Sequence, residues 1–105
     1  MICRLWRGWT SPENADAYER VVRTEVIPGI EARQIPGLRH LDLMRRDIGG
    51  EIEFQTCMWF DDIDAVKEFM GEDYAVSHVP LEARAVLNSF DHHASHYEVI
   101  DRRPQ

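Results

Sequence analysis

The sequence predicts an α+β domain with the element order β-α-β-β-α-β, its helices on one face of a four-stranded antiparallel sheet. Three observations predict it. Strand-like runs occupy residues 2–9, 38–46, 51–60 and 94–100. Apolar stripes at helical spacing fall between the first and second runs and between the third and last. Gly49-Gly50 sits between the two middle runs, where a hairpin turn needs residues free to adopt positive φ.

Strand one is rich in β-formers and aromatics, with Leu5 and Trp9 on one face and Ile2 and Trp6 on the other. Ser11-Pro12-Glu13 starts a helix: Ser11 can cap it, Pro12 suits its first turn, and Glu13 complements the helix dipole. Ala15, Tyr18, Val22 and Val26 form its buried stripe, and Pro28-Gly29 is expected to end or kink it. Ile35-Pro36-Gly37 leads into strand two. Strand three places Ile52, Phe54, Thr56, Met58 and Phe60 on one face, and Glu51, Glu53, Gln55, Cys57 and Trp59 on the other. Asp61 or Asp62 caps a short helix with Ile63, Val66 and Phe69 inward, and Gly71 stops it. Pro80 opens a further helix whose stripe is Ala83, Val86, Leu87 and Phe90. Residues 1–100 are read as one domain and 101–105 as a polar, frayed tail.

Composition narrows the function. A net charge of −7, from 12 Lys+Arg against 19 Asp+Glu, gives no basic face for nucleic acid. No apolar run approaches the roughly 20 residues of a membrane span, and no signal peptide is evident, so the expected compartment is the cytoplasm. Cys3 and Cys57 form no CxxC motif and read as two reduced core thiols. Strands one and three carry large apolar groups on both faces, and the chain is too short to supply another layer. A second copy packed sheet to sheet is the economical cover, so a homodimer is expected.

The stretches ICRLWRGWT (residues 2–10), GEIEFQTCMWFDDIDAVKEFMGEDY (50–74) and VPLEARAVLNSFDHHASHYEV (79–99) resemble the antibiotic biosynthesis monooxygenase-like proteins of the dimeric α/β-barrel superfamily. The resemblance spans nearly the whole chain and is most distinctive in residues 59–74 and in His96-Tyr97-Glu98-Val99. It implies a ferredoxin-like fold, a homodimer whose two sheets form a barrel, and a cleft between helices and sheet. Some such proteins oxygenate aromatic phenols without metal or flavin, others degrade haem, and others isomerise or bind small molecules.

The candidate site residues follow from side-chain chemistry. His96 and His78 are candidate bases, because an unperturbed imidazole titrates near neutrality. The structural alternatives are a rim histidine for His96, and a helix cap or solvated side chain for His78. His78 also lies near the iron ligand of haem-degrading relatives. However, Phe69 stands where those have tryptophan, the Asp73 to His78 spacing is one residue short, and strand one lacks asparagine. His92 and His96 would lie about 13 Å apart on an extended chain, too far to share one ion. No metal and no cofactor is therefore expected. Trp6, Trp59, Phe69 and Tyr74 can line an aromatic pocket, and Arg84 can meet an anion there. The leading reading is a cofactor-independent monooxygenase acting on a small electron-rich aromatic, a phenol or quinol. A non-catalytic dimeric small-molecule binder is the alternative, and a haem-binding or haem-degrading protein the third.

Overall fold

A computed structural model describes residues 1–105. Strand β1 (Ile2–Thr10) lies at the centre, flanked on one side by β3 (Ile52–Phe60), which pairs with the edge strand β2 (Leu38–Asp47). On its other side β1 pairs with two short strands laid end to end, β4 (Ser89–Phe90) and β5 (Ser95–Glu98). All pairings are antiparallel. The fold is the α+β, ferredoxin-like plan that the sequence predicts, with its last strand divided in two.

The first helical region is continuous through Pro28, where an end or kink was expected. Ser11 accepts from the Asn14 amide and caps a short 3-10 turn, Pro12–Asn14. Helix α1 (Ala15–Val21) then passes through a π-helical stretch, Val22–Val26, into α2 (Ile27–Ala32). The Ile27 amide donates to the Val22 carbonyl, five residues back. Proline cannot donate to a helical carbonyl and crowds the one four residues before it. Widening the turn just upstream lets the chain continue, with Pro28 in the first turn of α2. Helix α3 (Ile63–Met70) is capped by Asp62, which accepts from the Ala65 amide, and stops at Gly71 with φ of 87°.

Helix α4 (Leu81–Arg84) is one turn long, where the apolar spacing predicts a helix as far as Phe90. The reason is competition for the backbone. The Asn88 amide donates to Trp9 O at 2.7 Å and the Asp91 amide to Arg7 O at 2.9 Å. The free edge of β1 thus captures this segment as β4. Residues 92–94 then leave β1 and pair with the loop after α3: Ser77 N donates to His92 O, and Ala94 N to Ala75 O. This detour separates β4 from β5 and ties the loop bearing His78 to the sheet.

The helices cover one face of the sheet. Trp6, Ile52 and Phe54 pack against Ala15, Tyr18 and Val22, while Met58 and Phe60 pack against Ala65 and Val66. Gly8 makes room within this layer. A Cβ there would sit 2.9 Å from the Trp6 ring and 3.0 Å from Leu87, so the indole lies across a bare stretch of backbone.

Candidate functional site

Between the helices and the sheet lies a cleft lined by seventeen residues, twelve of them hydrophobic. Its floor comes from β1 and β3 through Arg4, Trp6, Thr56 and Met58. Val22, Val26 and Ile27 line the opposite wall, so the widened helical turn borders the cleft directly. Phe69 and Met70 end α3 at its side, and Ser77-His78-Val79-Pro80 form the rim. The space open to the centre of a water molecule is about 100 Å³. That is roughly seven to ten times what one water needs, room for a small ring.

Arg4 carries the unusual electrostatics. It is 7% exposed and forms no ion pair with any carboxylate. Its Nε has no hydrogen-bond partner, and one terminal nitrogen donates a long 3.4 Å bond to Tyr74 O. The guanidinium lies 5.7 Å from the centre of the Phe69 ring. Burial without a counter-charge pulls its pKa down to about 10. Arg4 therefore brings a desolvated positive charge, paired with nothing, to an apolar cleft.

His96 stands opposite Arg4 in the register of β5 and β1. Its ring meets Tyr74 edge-on at 5.0 Å, and its Nε2 is buried without a partner. Burial, and then the Arg4 charge, hold its pKa below the ordinary imidazole value, so it is neutral at pH 7. Tyr18 lines the cleft as a neutral phenol, burial pushing its pKa up.

The cleft brings together Trp6, Phe69 and His78 from the sequence-predicted set. Trp6 is held by an Nε1 bond of 2.8 Å to Asp91 O. His78 is exposed at the rim, and no side chain caps α4. Tyr74 and His96 sit behind Arg4 and do not line the cleft. Two of the residues lie elsewhere. Trp59 is on the opposite face of the sheet, its Nε1 donating to Asp42 at 3.1 Å under the Arg102 guanidinium. Strand alternation puts it there, since its neighbours Met58 and Phe60 point at the helices. Arg84 is exposed and lies over Phe90, while Ala83 takes the cleft-facing position. Arg4 itself escaped the sequence reading. Both faces of β1 carry large apolar residues, so alternation alone does not mark the face of Arg4 as the inward one.

No family model matches the chain, and no curated protein matches it in sequence. Solved structures do match in fold. A Bacillus cereus protein provisionally named as an antibiotic biosynthesis monooxygenase superposes with a TM-score of 0.66 at 13% identity, covering 99% of this chain and 97% of that one. Rv0793 of Mycobacterium tuberculosis gives 0.59 at 18% identity, over 98% of each chain. An EthD family protein from Bacillus halodurans gives 0.54 at 20% identity, covering 95% of this chain and all of that one. The chain has the antibiotic biosynthesis monooxygenase-like fold. At these identities fold is what is shared, and the chemistry has to be argued from the cleft.

Proposed function

We propose that the cleft binds a small electron-rich aromatic, a phenol or quinol, and that the chain oxygenates it without metal, flavin or haem, as a cytoplasmic homodimer. The observation that carries the reading is the ring-sized apolar cleft with an imidazole, His78, on its rim. Molecular oxygen is a spin triplet and reacts slowly with closed-shell molecules. An ionised phenol is electron-rich enough to reduce it directly, so the protein need supply only a base, a dry pocket and a flat surface.

Here His78 takes the phenolic proton, and Trp6, Tyr18 and Phe69 hold the ring. The phenolate passes one electron to oxygen. The two radicals combine through a new carbon–oxygen bond, and the proton held by His78 returns to the peroxide. Cleavage of the oxygen–oxygen bond releases hydroxide, which leaves as water with the ring proton. The balance is phenol plus oxygen giving quinone plus water.

The test is oxygen uptake with a panel of phenols and hydroquinones. Uptake should exceed the protein-free rate, and His78→Ala should lower it by about 10²- to 10⁴-fold. If His96→Ala loses activity and His78→Ala keeps it, the base has been misassigned. If no member of the panel consumes oxygen faster with protein than without, the cleft belongs to a non-catalytic binding module.

A further inference from the structure

Arg4 specifies the ligand beyond being aromatic. Arg4 as a residue is more than nine-tenths buried, its Nε is buried without a hydrogen-bond partner, and it lines the cleft and forms no ion pair with a carboxylate of its own chain. The remaining polar lining is sparse: Thr56, Ser77 and His78. Arg4 is the only arginine or lysine that lines the cleft; Arg33 lies 5.2 Å from the Phe69 ring but is exposed and donates to the Glu68 and Phe69 carbonyls, so a single negative charge is what the cleft lining can neutralise. Phosphate, largely doubly charged near neutral pH, is a poor match. A guanidinium edge binds two oxygens at once, which a carboxylate supplies and a phenolate does not. We propose that the ligand is a small aromatic carboxylic acid whose carboxylate seats on Arg4 while its ring occupies the apolar cleft.

This rests on the cleft reading above and adds the acid group to it. The carboxylate lies at the Arg4 end, by β1, and leaves the ring between Trp6 and Phe69. A carboxylic acid is fully ionised at pH 7, so the pairing needs no base. An Arg4 with a purely structural role, holding Tyr74 O and Phe69, would behave differently on replacement. Removing a structural arginine destabilises the empty protein. Removing an uncompensated buried charge by a similarly long apolar residue is neutral or stabilising.

The experiment compares 2-naphthoate, 2-naphthol and 2-naphthalenemethanol by titration calorimetry at pH 7, together with melting curves of the unliganded proteins. Wild type should bind the acid at least tenfold tighter than either neutral compound. Arg4→Met should weaken the acid roughly tenfold to hundredfold, the range for a hydrogen-bonded charge pair, and leave the neutral compounds unchanged. Its melting temperature should match or exceed that of wild type. Arg4→Lys, which keeps the charge and removes the fork, should lose most of the preference without loss of fold.

Equal binding of acid and alcohol by wild type would overturn the Arg4 assignment while the cleft reading stands. An Arg4-dependent preference for naphthol would overturn the carboxylate and make an ionised phenol the anion. A lower melting temperature for Arg4→Met with the acid preference retained would make Arg4 structural. If none of the three binds, the cleft reading falls and this proposal with it.

Discussion

The two faces of the sheet are unfinished in opposite ways. On the helix face the apolar groups are covered, with Phe54 and Phe60 at 0% exposure, yet one charge, Arg4, has no partner. On the open face the charges are matched. Arg46 donates twice to Glu53, at 3.1 and 2.8 Å, Arg7 pairs with Asp91 at 3.0 Å, and Asp42 accepts from Trp59. What that face lacks is cover: Leu5, Trp9 and Trp59 are half-buried, and Met44 and Tyr97 are exposed. An unpaired charge calls for an anion, and uncovered apolar surface calls for another surface. The same alternation of strand residues that divides the faces thus divides what each leaves unmet, a counter-charge on one and apolar cover on the other.

The largest expected effect tests where stability resides. Phe54 packs edge-on against Tyr18 at 4.7 Å and is fully buried, so Phe54→Ala should cost about 3–5 kcal/mol. Urea denaturation measures it, and a loss under 1 kcal/mol would deny that the helix face is the core. Next comes assembly. Sedimentation equilibrium at micromolar concentration should find a dimer, and Trp59→Glu, which plants an unpaired charge in the uncovered face, should shift it toward monomer. A single 12.3 kDa species for wild type would remove the reason for the open face's composition.

A smaller effect comes from Gly8, beneath the indole of Trp6. Gly8→Ala forces a methyl to within 2.9 Å of that ring and 3.0 Å of Leu87. The expected cost is about 1–3 kcal/mol of overpacking. Because Trp6 lines the cleft, aromatic ligand affinity should fall along with stability. If affinity is unchanged, the indole's placement does not matter to the ligand.

Much of this was legible in the residues. Asp62 and Gly71 bound α3 as their types predict, and Gly49-Gly50 turn the β2–β3 hairpin with φ of 79° and 80°. The structure departs from the sequence pattern where a distant partner competes for the backbone. Val86, Leu87 and Phe90 keep helical spacing, but the edge of β1 is a stronger claimant on the backbone there. Trp59 was assigned to a pocket by its type, although the alternation of strand three already placed it with Glu53 and Cys57, away from Phe54 and Met58. Chemical type suggested the aromatic site, and period-two geometry decided which members join it.

The smallest expected effect concerns protons, and it joins Arg4 to His96. The two residues face each other across β1 and β5, and no ion pair involves either. Burial disfavours the charged imidazole, and the Arg4 cation beside it adds to that, which is why its folded pKa lies below 6.5. The unfolded chain therefore binds more protons than the folded one between that depressed pKa and 6.5, and folding stability rises with pH across this interval. Its contribution is present above pH 6.5 and is lost as pH falls through the folded pKa. Urea midpoints should decline on acidification through this window, and His96→Phe should decline less, the difference isolating His96 from the carboxylates. An anion on Arg4 cancels the repulsion, so the His96 ring resonance should titrate at higher pH in the presence of 2-naphthoate than without it. By linkage the acid should then bind more tightly where His96 is protonated, provided that the naphthoate itself remains ionised. A His96 titration that does not move on adding naphthoate would mean that the carboxylate sits away from Arg4.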